Sequence, residues 1–542
     1  MAEHEVLDAL VVGAGFSGIL ATYRLRELGL HFRTIDKAGD IGGTWFWNTY
    51  PGAQSDTESH LYRFAFDEED LKEYPWSHRY LRQPEIQAYL KHVVERHELK
   101  PYFQFDTELL SAIWSDTDRI WRIETTRGRF VARYLITGLG LLTAQNLPTI
   151  PGADRFKGII KHTASWDPSL DLRGKRVGVI GNGSTGTQLL TSLAPIVSEL
   201  VSFQRNPQYS VPAGNKPVTP AERQAINDDY PRIWPKAFQS STAFGFMESS
   251  RPVMSVEPDE RERIFEDLWE KGNGFRFLFS EFGDIAIDPE ANEECCKFIR
   301  KKIRQIVKDP VKAAMLQPTD PYAKRPVCDN GYYEIFNQDN VKLVDLKKAP
   351  LTEITETGIV TGDGRLHELD LICYATGFDA IDGSYTRLDI RGVGGQTIQE
   401  HWDGKASSYL GVATAGFPNL FMIFGPQSPF SNNPPLIESE VDFICKAIMH
   451  NESRRPTAGL PVMSLRAESE RGWEELCYET AKDSLFTIHG SWITGNNVAG
   501  KKSGTRFFFG GLGTWRRLAQ EEVDAGFPSF VSSSAAASAP RL

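Results

Sequence analysis

Cysteines, long apolar runs and basic clusters are scarce in this sequence, and each scarcity excludes a class of protein. Six cysteines among 542 residues are too few and too irregularly spaced for a disulfide framework, a zinc site or the redox cysteine pair of a disulfide reductase. No apolar run reaches the roughly eighteen residues of a membrane helix. The formal net charge is −11, and an acidic surface without basic runs argues against a nucleic-acid partner. We therefore expect no bound metal, no nucleic-acid partner and no membrane anchor.

The length and the apolar content indicate a protein of several packed domains. A chain of 542 residues suits about three domains of about 150 residues each, and 41% apolar residues are ample for their cores. The acidic opening, Met1 to Val6, lacks the basic residues that begin a signal peptide. We expect a cytoplasmic protein and a monomer, although no motif bears on the oligomeric state.

The N-terminal part of the chain has the order of a dinucleotide-binding unit. An apolar run predicts a buried strand, three glycines follow, and a helix is predicted over 19–27. Gly13 allows the tight turn, Gly15 lets the backbone approach a pyrophosphate, and Gly18 lets the helix pack on the sheet. Asp36 ends the next predicted strand, where a carboxylate accepts hydrogen bonds from a ribose diol. Strand, helix and acid together make this a stronger signal than a glycine-rich turn alone.

A second unit of the same kind begins near residue 175 but ends differently. Gly181, Gly183 and Gly186 follow an apolar run, and a strand is predicted over 199–203. Where an NAD site has an acid, this chain has Arg205, whose guanidinium can bind the 2′-phosphate that distinguishes NADP. The alternative is a surface arginine in a turn. The two units are therefore predicted to bind FAD first and NADPH second.

The order of the segments predicts nested rather than serial domains. After the second unit comes a polar stretch with helical periodicity at 258–270 and 288–308, and β-like segments return at 341–344 and 368–374. We expect an α/β fold with two Rossmann-like dinucleotide-binding domains and a helical insertion in the NADP domain. The expected limits are 1–145 with 382–528 for the FAD domain, 150–213 with 330–381 for the NADP domain, 214–329 for the insertion, and 529–542 for a disordered tail rich in serine and alanine.

Two further motifs connect the chain to a known family. The first runs from Gly42-Gly43-Thr44-Trp45 to Asp56, and the second comprises Phe156, Gly158, His162, Trp166 and Asp167. With them the chain resembles the flavin-dependent type I Baeyer–Villiger monooxygenases, in the branch of cyclohexanone monooxygenase. The resemblance spans the chain through the segments 324–326, 375–379, 425–430, 491–492 and 500–502.

The resemblance implies a reaction and two catalytic residues. In the family, NADPH reduces FAD, O2 adds to the reduced flavin, and the resulting flavin peroxide attacks a ketone to give an ester or lactone. Arg325 is the residue that stabilises the negative charge that builds on oxygen, because a guanidinium stays protonated and donates several hydrogen bonds. Asp56 lies beside the flavin and pairs with Arg325. Without the family, Lys324-Arg325 before proline is most often a solvated pair of charges.

The glycine units and the resemblance together give the expected binding residues. Those expected to bind FAD are Gly13, Gly15, Phe16, Ser17, Gly18, Asp36, Gly43, Thr44, Trp45, Asp56 and Tyr62. Those expected to bind NADP are Gly181, Gly183, Ser184, Thr185, Gly186, Arg205, Asn206, Lys324, Arg325 and Trp492. Trp492 belongs to a loop, roughly 487–504, that is expected to close over the site and exclude water. Of the second motif, His162 and Trp166 are interpreted as residues that couple the domains.

The substrate pocket is expected at Phe430, Asn433 and Phe507. Asn433 and Arg506 stand where the cyclohexanone branch usually has apolar residues. If they point inwards, a polar pocket suits a larger or functionalised ketone; if they point outwards, they change nothing. Cyclic and alicyclic ketones are the favoured substrates, with sulfide oxidation as a side activity.

Two other functions compete with ketone oxygenation. One is a flavin monooxygenase that oxidises amine or sulfide heteroatoms, and the other is a cofactor-binding sensor or an uncoupled NADPH oxidase that releases peroxide. The heteroatom oxygenases lack the ending that Trp166 and Asp167 supply, and a sensor or oxidase does not need Arg325. These residues therefore favour the Baeyer–Villiger reaction.

Overall fold

The computed structural model describes residues 6–454 and 460–533, and two sheets, each built on one of the glycine units, form its centre. In the described residues the strands are β1 (Val6–Val12), β2 (Phe32–Ile35), β3 (Phe103–Gln104), β4 (Leu109–Ser115), β5 (Ile120–Thr125), β6 (Gly128–Thr137), β7 (Ile159–His162), β8 (Arg176–Ile180), β9 (Glu199–Gln204), β10 (Ser210–Pro212), β11 (Val327–Asp329), β12 (Val341–Asp345), β13 (Leu351–Ile354), β14 (Gly358–Thr361), β15 (Leu366–Glu368), β16 (Leu371–Tyr374), β17 (Asp389–Arg391), β18 (Leu420–Met422), β19 (Val462–Leu465) and β20 (Phe530–Ser533).

The helices cover these sheets and fill the space between them. They are α1 (Phe16–Glu27), α2 (Thr44–Trp47), α3 (Glu68–Glu73), α4 (Gln83–Arg96), α5 (Ser184–Leu193), α6 (Pro220–Gln239), α7 (Pro258–Lys271), α8 (Gly274–Phe279), α9 (Pro289–Ile306), α10 (Pro310–Leu316), α11 (Ile398–Trp402), α12 (Asn433–Ser453), α13 (Ala467–Ala481), α14 (Leu485–Ile488) and α15 (Leu512–Asp524). Within the described ranges no helix is both long enough and apolar enough to cross a membrane.

The first sheet contains the first glycine unit and recruits strands from the far end of the chain. Its order is β17-β4-β5-β6-β1-β2-β3, and β18 also pairs with β6. β1 runs parallel to both of its neighbours, β2 and β6, so the glycine turn after β1 lies at the carboxyl edge of these strands. Ligands of parallel α/β sheets bind at this edge.

The second sheet contains the second glycine unit and is wholly parallel, in the order β12-β9-β8-β16-β7. Its strands come from 159–204 and 341–374, on either side of the inserted helices. The chain therefore leaves each sheet and later returns to it, and the mixed α/β class with two Rossmann-like units is confirmed. We propose the domain limits given above on the strength of this strand pairing, except that the FAD domain extends to residue 533, because β20 pairs with β19.

The inserted helices form where the sequence pattern predicts them. α7 begins with Pro258, and α9 follows an Asp288 side chain that accepts hydrogen bonds from the backbone N–H groups of Glu290 and Ala291. Proline in the first turn and aspartate at the N-cap are typical of helix starts. Their apolar faces pack together around Phe265 and Phe298, whose ring centroids are 5.4 Å apart. The predicted helix to residue 308 ends two residues earlier, at Ile306.

Two other expectations need correction. The β-like segment 368–374 is divided into β15 and β16, because residues 369 and 370 turn the chain from a three-stranded antiparallel sheet into the second parallel sheet. The tail expected to be disordered from residue 529 begins as a strand, because β20 pairs antiparallel with β19. The rest of that tail, 534–542, lies outside the described residues.

Candidate active site

One large cavity, of about 1270 Å³, lies between the two glycine units and the inserted helices. Most of the predicted binding residues line it. On the FAD side these are Gly13, Gly15, Phe16, Ser17, Asp36, Gly43, Thr44, Trp45, Asp56 and Tyr62, and on the NADP side Gly181, Gly183, Ser184, Thr185, Arg205, Asn206, Lys324, Arg325 and Trp492. Gly18 and Gly186 lie behind the wall, where each supports the turn that precedes it.

The first glycine turn is packed too closely for side chains. A Cβ atom on Gly18, in the first turn of α1, would lie 1.7 Å from the Gly13 carbonyl oxygen, so only glycine fits at this position. The segment that carries Gly43 approaches the turn just as closely, since a Cβ atom on Gly43 would lie 2.8 Å from the Cα atom of Gly15. Two stretches of bare backbone thus face the cavity at the N-terminus of α1, a geometry that suits a pyrophosphate.

Asp36 lies at the end of β2, as predicted, and its carboxylate is held by the backbone. Oδ2 accepts a hydrogen bond from the N–H of Ala14 at 2.5 Å, and Oδ1 accepts one from Ala38 at 2.7 Å. Burial raises the pKa of this carboxyl, and the two backbone N–H groups oppose the shift. An acceptor fixed beside the turn fits a ribose diol. Beyond it, Trp45 Nε1 donates to the Tyr62 hydroxyl at 3.2 Å and completes a polar and aromatic wall. This side of the cavity therefore fits FAD.

The second glycine unit has the same turn but no acid at its strand end. Gln204 points into the fold, where its amide donates to the Met315 carbonyl at 2.8 Å. Arg205 is exposed, and among the described residues no carboxylate pairs with it. Lys324 lies on the same side of the cavity and pairs with Asp320 at 3.2 Å. Two cations at the strand end suit a 2′-phosphate and not a bare ribose, so this side fits NADP.

Arg325 joins the two units at the centre of the cavity. One guanidinium nitrogen, Nη1, lies 2.7 Å from Asp56 Oδ2 and donates to the Ser184 hydroxyl at 2.8 Å. Its Cζ atom lies 5.4 Å from the centroid of the Phe275 ring. Asp56 belongs to the segment after α2, whereas Ser184 is the first residue of α5. The pairing of Asp56 with Arg325, which only the family resemblance predicted, is present.

The charges of this pair are set by burial and by each other. The Asp56 side chain is 4% exposed and that of Arg325 is 29% exposed, towards the cavity. Burial raises the pKa of Asp56 and is the larger effect, whereas the Arg325 guanidinium lowers it. The second carboxylate oxygen, Oδ1, accepts no hydrogen bond within the described part of the chain. A buried acceptor without a partner beside the cavity is consistent with a ligand that supplies the donor.

Aromatic rings form the wall beyond Arg325. Phe275 stacks on Phe244 with a centroid distance of 4.1 Å. Phe507 contacts Phe430 at 5.3 Å and Trp492 at 5.9 Å, both edge to face. All five line the cavity. Asn433, the first residue of α12, also lines it, so the predicted substrate residues lie together at one end.

Arg506 does not line the cavity, which settles one of the alternatives left open by the sequence. Its side chain is 1% exposed and points away, with Nε donating to Asp382 Oδ1 at 3.1 Å. The ion pair with Asp382 offsets part of the desolvation cost of burying this guanidinium. Of Asn433 and Arg506, only Asn433 therefore adds a polar side chain to the pocket.

The family motif from Phe156 to Asp167 lies outside the cavity and forms an edge of the second sheet. His162 ends β7, where Nδ1 accepts from the Ala164 N–H, so Nε2 carries the proton donated to the Gly377 carbonyl at 3.1 Å. Burial lowers the pKa of His162, which favours this neutral form. The Trp166 carbonyl accepts from Thr49 of the FAD side at 3.4 Å. The Thr49 contact crosses to the FAD side, whereas the Gly377 contact stays within the NADP side, so the coupling of the domains by this motif stays a prediction that only the Trp166 contact supports.

A network of hydrogen bonds between polar side chains on the cavity floor is not predicted from the sequence. The Tyr50 hydroxyl donates to Gln188 Oε1 at 2.8 Å, and Gln188 Nε2 donates to the backbone carbonyl of Gln54 at 3.1 Å. Asn215 and Asn330 both donate to the Gln54 side chain, at 3.0 and 3.2 Å. The network joins the FAD side, helix α5 and the insertion. Its only sequence signal is the position of Gln54 two residues before Asp56.

Comparison with known proteins gives the same assignment. Residues 8–209 match the family model of flavin-binding monooxygenase-like proteins. The chain is 48% identical to a phenazine N-monooxygenase of Lysobacter antibioticus and 46% identical to a Baeyer–Villiger monooxygenase of Pseudooceanicola batsensis, in each case over 97% of this chain and 96% of the relative. The structure of cyclohexanone monooxygenase from Rhodococcus sp. Phi1 bound to NADP+ superposes with a TM-score of 0.96, at 49% identity and over 98% of this chain and 100% of that one. The chain belongs to the flavin-dependent Baeyer–Villiger monooxygenases.

Proposed function

We propose that this protein uses FAD, NADPH and O2 to insert one oxygen atom beside the carbonyl of a cyclic ketone, giving a lactone. The single observation that carries this proposal is the position of Arg325, which lies between the two cofactor sides and faces an aromatic chamber. When bound and reduced by NADPH, the flavin supplies the activation of O2. The residues of this chain supply the binding, the charge and the exclusion of water.

Arg325 is the catalytic cation in this proposal. The carbonyl oxygen of a ketone gains negative charge as its carbon is attacked, and a fixed guanidinium stabilises that charge without reorganising. Asp56 and Ser184 hold one guanidinium nitrogen, Nη1, which leaves the other N–H donors free to face the chamber. The Phe275 ring below the guanidinium keeps water from one side.

NADPH is selected by charge at the second strand end. Arg205 and Lys324 bind the 2′-phosphate, and Ser184 with Thr185 presents the N-terminus of α5 to the pyrophosphate. Because Ser184 also accepts a hydrogen bond from Arg325, the nicotinamide cofactor and the catalytic cation contact the same residue.

The chamber determines the class of ketone. Phe244, Phe275, Phe430 and Phe507 provide apolar contacts for an alicyclic ring. Asn433 adds one polar side chain to this wall, and the buried hydroxyl of Ser431 next to it has no hydrogen-bond partner within the described residues. We propose that the preferred ketone carries a second polar group that hydrogen-bonds to this part of the wall.

Oxidation of an aromatic nitrogen is a second candidate, favoured by the 48% identity with the phenazine N-monooxygenase. Phe244 and Phe275 stack on each other with ring centroids 4.1 Å apart, and both line the chamber. A heteroaromatic ring stacks on such rings. This reaction does not need a charge-stabilising group at a carbonyl, and Arg325 therefore favours the ketone.

Product analysis distinguishes the candidates. The holoenzyme is incubated with NADPH in air, separately with cyclohexanone, with larger functionalised cyclic ketones and with phenazine, and the products are identified by mass spectrometry. Lactones as main products support the proposal. A phenazine N-oxide without any lactone supports the second candidate, and NADPH consumption that yields only hydrogen peroxide contradicts both.

We also propose that the protein acts as a cytoplasmic monomer. The six cysteines, none of which forms a disulfide, suit a reducing compartment. Light scattering of the holoenzyme tests the oligomeric state, because a monomer of 60.8 kDa is readily distinguished from a dimer.

A further inference from the structure

We propose that Arg506 is a positioning residue, which fixes the segment 490–504 so that Trp492 and Phe507 complete the substrate chamber. The inference rests on the proposed function, since the chamber is taken to hold the ketone. It concerns a residue that lies outside the cavity and touches neither the substrate nor a cofactor. Its effect is exerted through the two aromatic residues that it holds in place.

The guanidinium of Arg506 binds the segment and the interdomain connection at the same time. Nη1 donates to the Thr494 carbonyl at 3.0 Å and Nη2 to the Lys502 carbonyl at 3.1 Å, near the two ends of the segment. Nε donates to Asp382 Oδ1 at 3.1 Å. Asp382 follows the last strand of the second sheet and precedes the return to the first sheet. One side chain thus connects the segment to the place where the chain passes between the domains.

The residues that Arg506 holds are close in sequence to two aromatic residues of the chamber. Thr494 lies two residues after Trp492, and Phe507 follows Arg506 directly. The rings of Trp492 and Phe507 are 5.9 Å apart and both line the cavity. The guanidinium also lies directly against Gly495, where a Cβ atom would lie 2.7 Å from Arg506 Cζ. A displaced Arg506 would therefore shift both aromatic residues.

Opposite charges compensate each other around the buried pair of Arg506 and Asp382. Lys501 Nζ lies 2.7 Å from the same Asp382 oxygen that Arg506 binds, and it also pairs with Asp379. Two cations thus face two carboxylates, and the Asp382 and Arg506 side chains are 5% and 1% exposed. Removal of Arg506 leaves Asp382 with Lys501 but leaves the Thr494 carbonyl without this donor. The segment then loses its connection near Trp492 while the fold keeps a paired carboxylate.

Lysine cannot replace arginine at this position. A guanidinium presents planar donors to a carboxylate and two carbonyl groups at once, whereas an ammonium on a shorter side chain reaches fewer of them. Arg506→Lys therefore keeps the charge and loses part of the geometry, and Arg506→Met loses both. Arg517→Met is the matched control, because Arg517 forms an exposed ion pair with Glu521 on α15.

Hydrogen exchange of the holoenzyme with NADP+ bound provides the readout that is independent of activity. In Arg506→Met the backbone N–H groups of 491–504 should exchange at least about tenfold faster, which corresponds to about 1.4 kcal/mol. Arg506→Lys should show an intermediate increase, whereas exchange in β1 and α5 should match the parent protein. In Arg517→Met no segment near the cavity should change.

Kinetics then separate positioning from a general loss of stability. For Arg506→Met we expect the KM of the ketone to rise about tenfold and more NADPH to yield hydrogen peroxide, with flavin reduction at saturating NADPH unchanged. A lower Tm with unchanged exchange in 491–504 and unchanged KM overturns the inference. If no ketone is a substrate, the proposed function fails, but the exchange experiment still decides whether Arg506 holds the segment.

Discussion

The two dinucleotide units have the same strand, turn and helix but differ at the end of their second strand. In the first, Asp36 is held by backbone N–H groups on both carboxylate oxygens. In the second, Gln204 points inwards and Arg205 points outwards. The turn therefore recognises the pyrophosphate that both cofactors share, and the strand end recognises the ribose group that distinguishes them.

The surroundings of the two turns differ as well. Gly15 is covered by the backbone of its own domain, since a Cβ atom there would lie 3.3 Å from the Cα atom of Gly43, whereas a Cβ atom on Gly183 would meet open space. A covered turn suits a flavin that stays bound through turnover, and an open turn suits a nicotinamide cofactor that enters and leaves in each cycle. Arg325 contacts Asp56 on the FAD side and Ser184 on the NADP side, so the two cofactor sides form one site.

Replacement of Arg325 should have the largest effect, because it removes the link between the two units. In Arg325→Ala we expect ester or lactone formation to fall at least about a hundredfold, the usual cost of losing a charge-stabilising donor. Stopped-flow absorbance should show that saturating NADPH still reduces the flavin. Arg325→Lys should be intermediate, because it keeps the charge without the planar donors. An unchanged lactone yield in Arg325→Ala would contradict the catalytic role.

Removal of the cations at the second strand end tests the difference between the units directly. Arg205→Ala and Lys324→Ala should each raise the KM of NADPH about ten- to a hundredfold, since a hydrogen bond to a charged group contributes about 1.5–3 kcal/mol. The KM of NADH should change little, because NADH lacks the 2′-phosphate. Steady-state kinetics with both cofactors measure this. A parent enzyme that used NADH as well as NADPH would refute the assignment of these residues.

The corresponding change in the first unit should affect FAD alone. Asp36→Ala removes the acceptor of the Ala14 and Ala38 N–H groups and of a ribose hydroxyl, and FAD affinity should fall about tenfold, or about 1.4 kcal/mol. The fluorescence of released flavin measures the dissociation constant. The ratio of the NADPH and NADH KM values should stay that of the parent. A change in that ratio would show that the two strand ends are not independent.

Alanine at the middle glycine of each turn should give the smallest effect and sharpen the contrast between a covered and an open turn. Gly183→Ala should leave the free energy of unfolding within about 0.5 kcal/mol, as for a surface substitution, and weaken NADP+ binding, because the added methyl group faces the pyrophosphate. Gly15→Ala should also lower Tm, because Gly43 has to move. Calorimetry with and without cofactors measures both. Equal Tm losses in the two variants would contradict the contrast.

The sequence predicts the local elements of this protein well because their signals are local. The glycine turns, Asp36 at the end of β2 and Asp288 with Pro289 at the start of α9 each depend on neighbouring residues. The division of 368–374 and the strand β20 depend on partners far along the chain, namely the second sheet and β19. Pairing of that kind leaves no mark in the segment itself.

The same distinction applies to the site. Arg205 is recognisable because it stands where a strand end has a known role. The pairing of Asp56 with Arg325 joins residues about half the chain apart, and only the family resemblance could predict it. The hydrogen-bond network around Gln54 and the burial of Arg506 against Asp382 were not predictable, because side-chain direction is decided by tertiary packing.

The most direct test of the central claim is the incorporation of heavy-isotope O2 into the product. The holoenzyme is incubated with NADPH, labelled O2 and a cyclic ketone that it accepts, and the product is analysed by mass spectrometry. The account predicts one labelled oxygen in the ring position of a lactone, with one NADPH consumed per lactone. A lactone without the label, or NADPH consumption with labelled hydrogen peroxide as the sole product from every ketone, would contradict it.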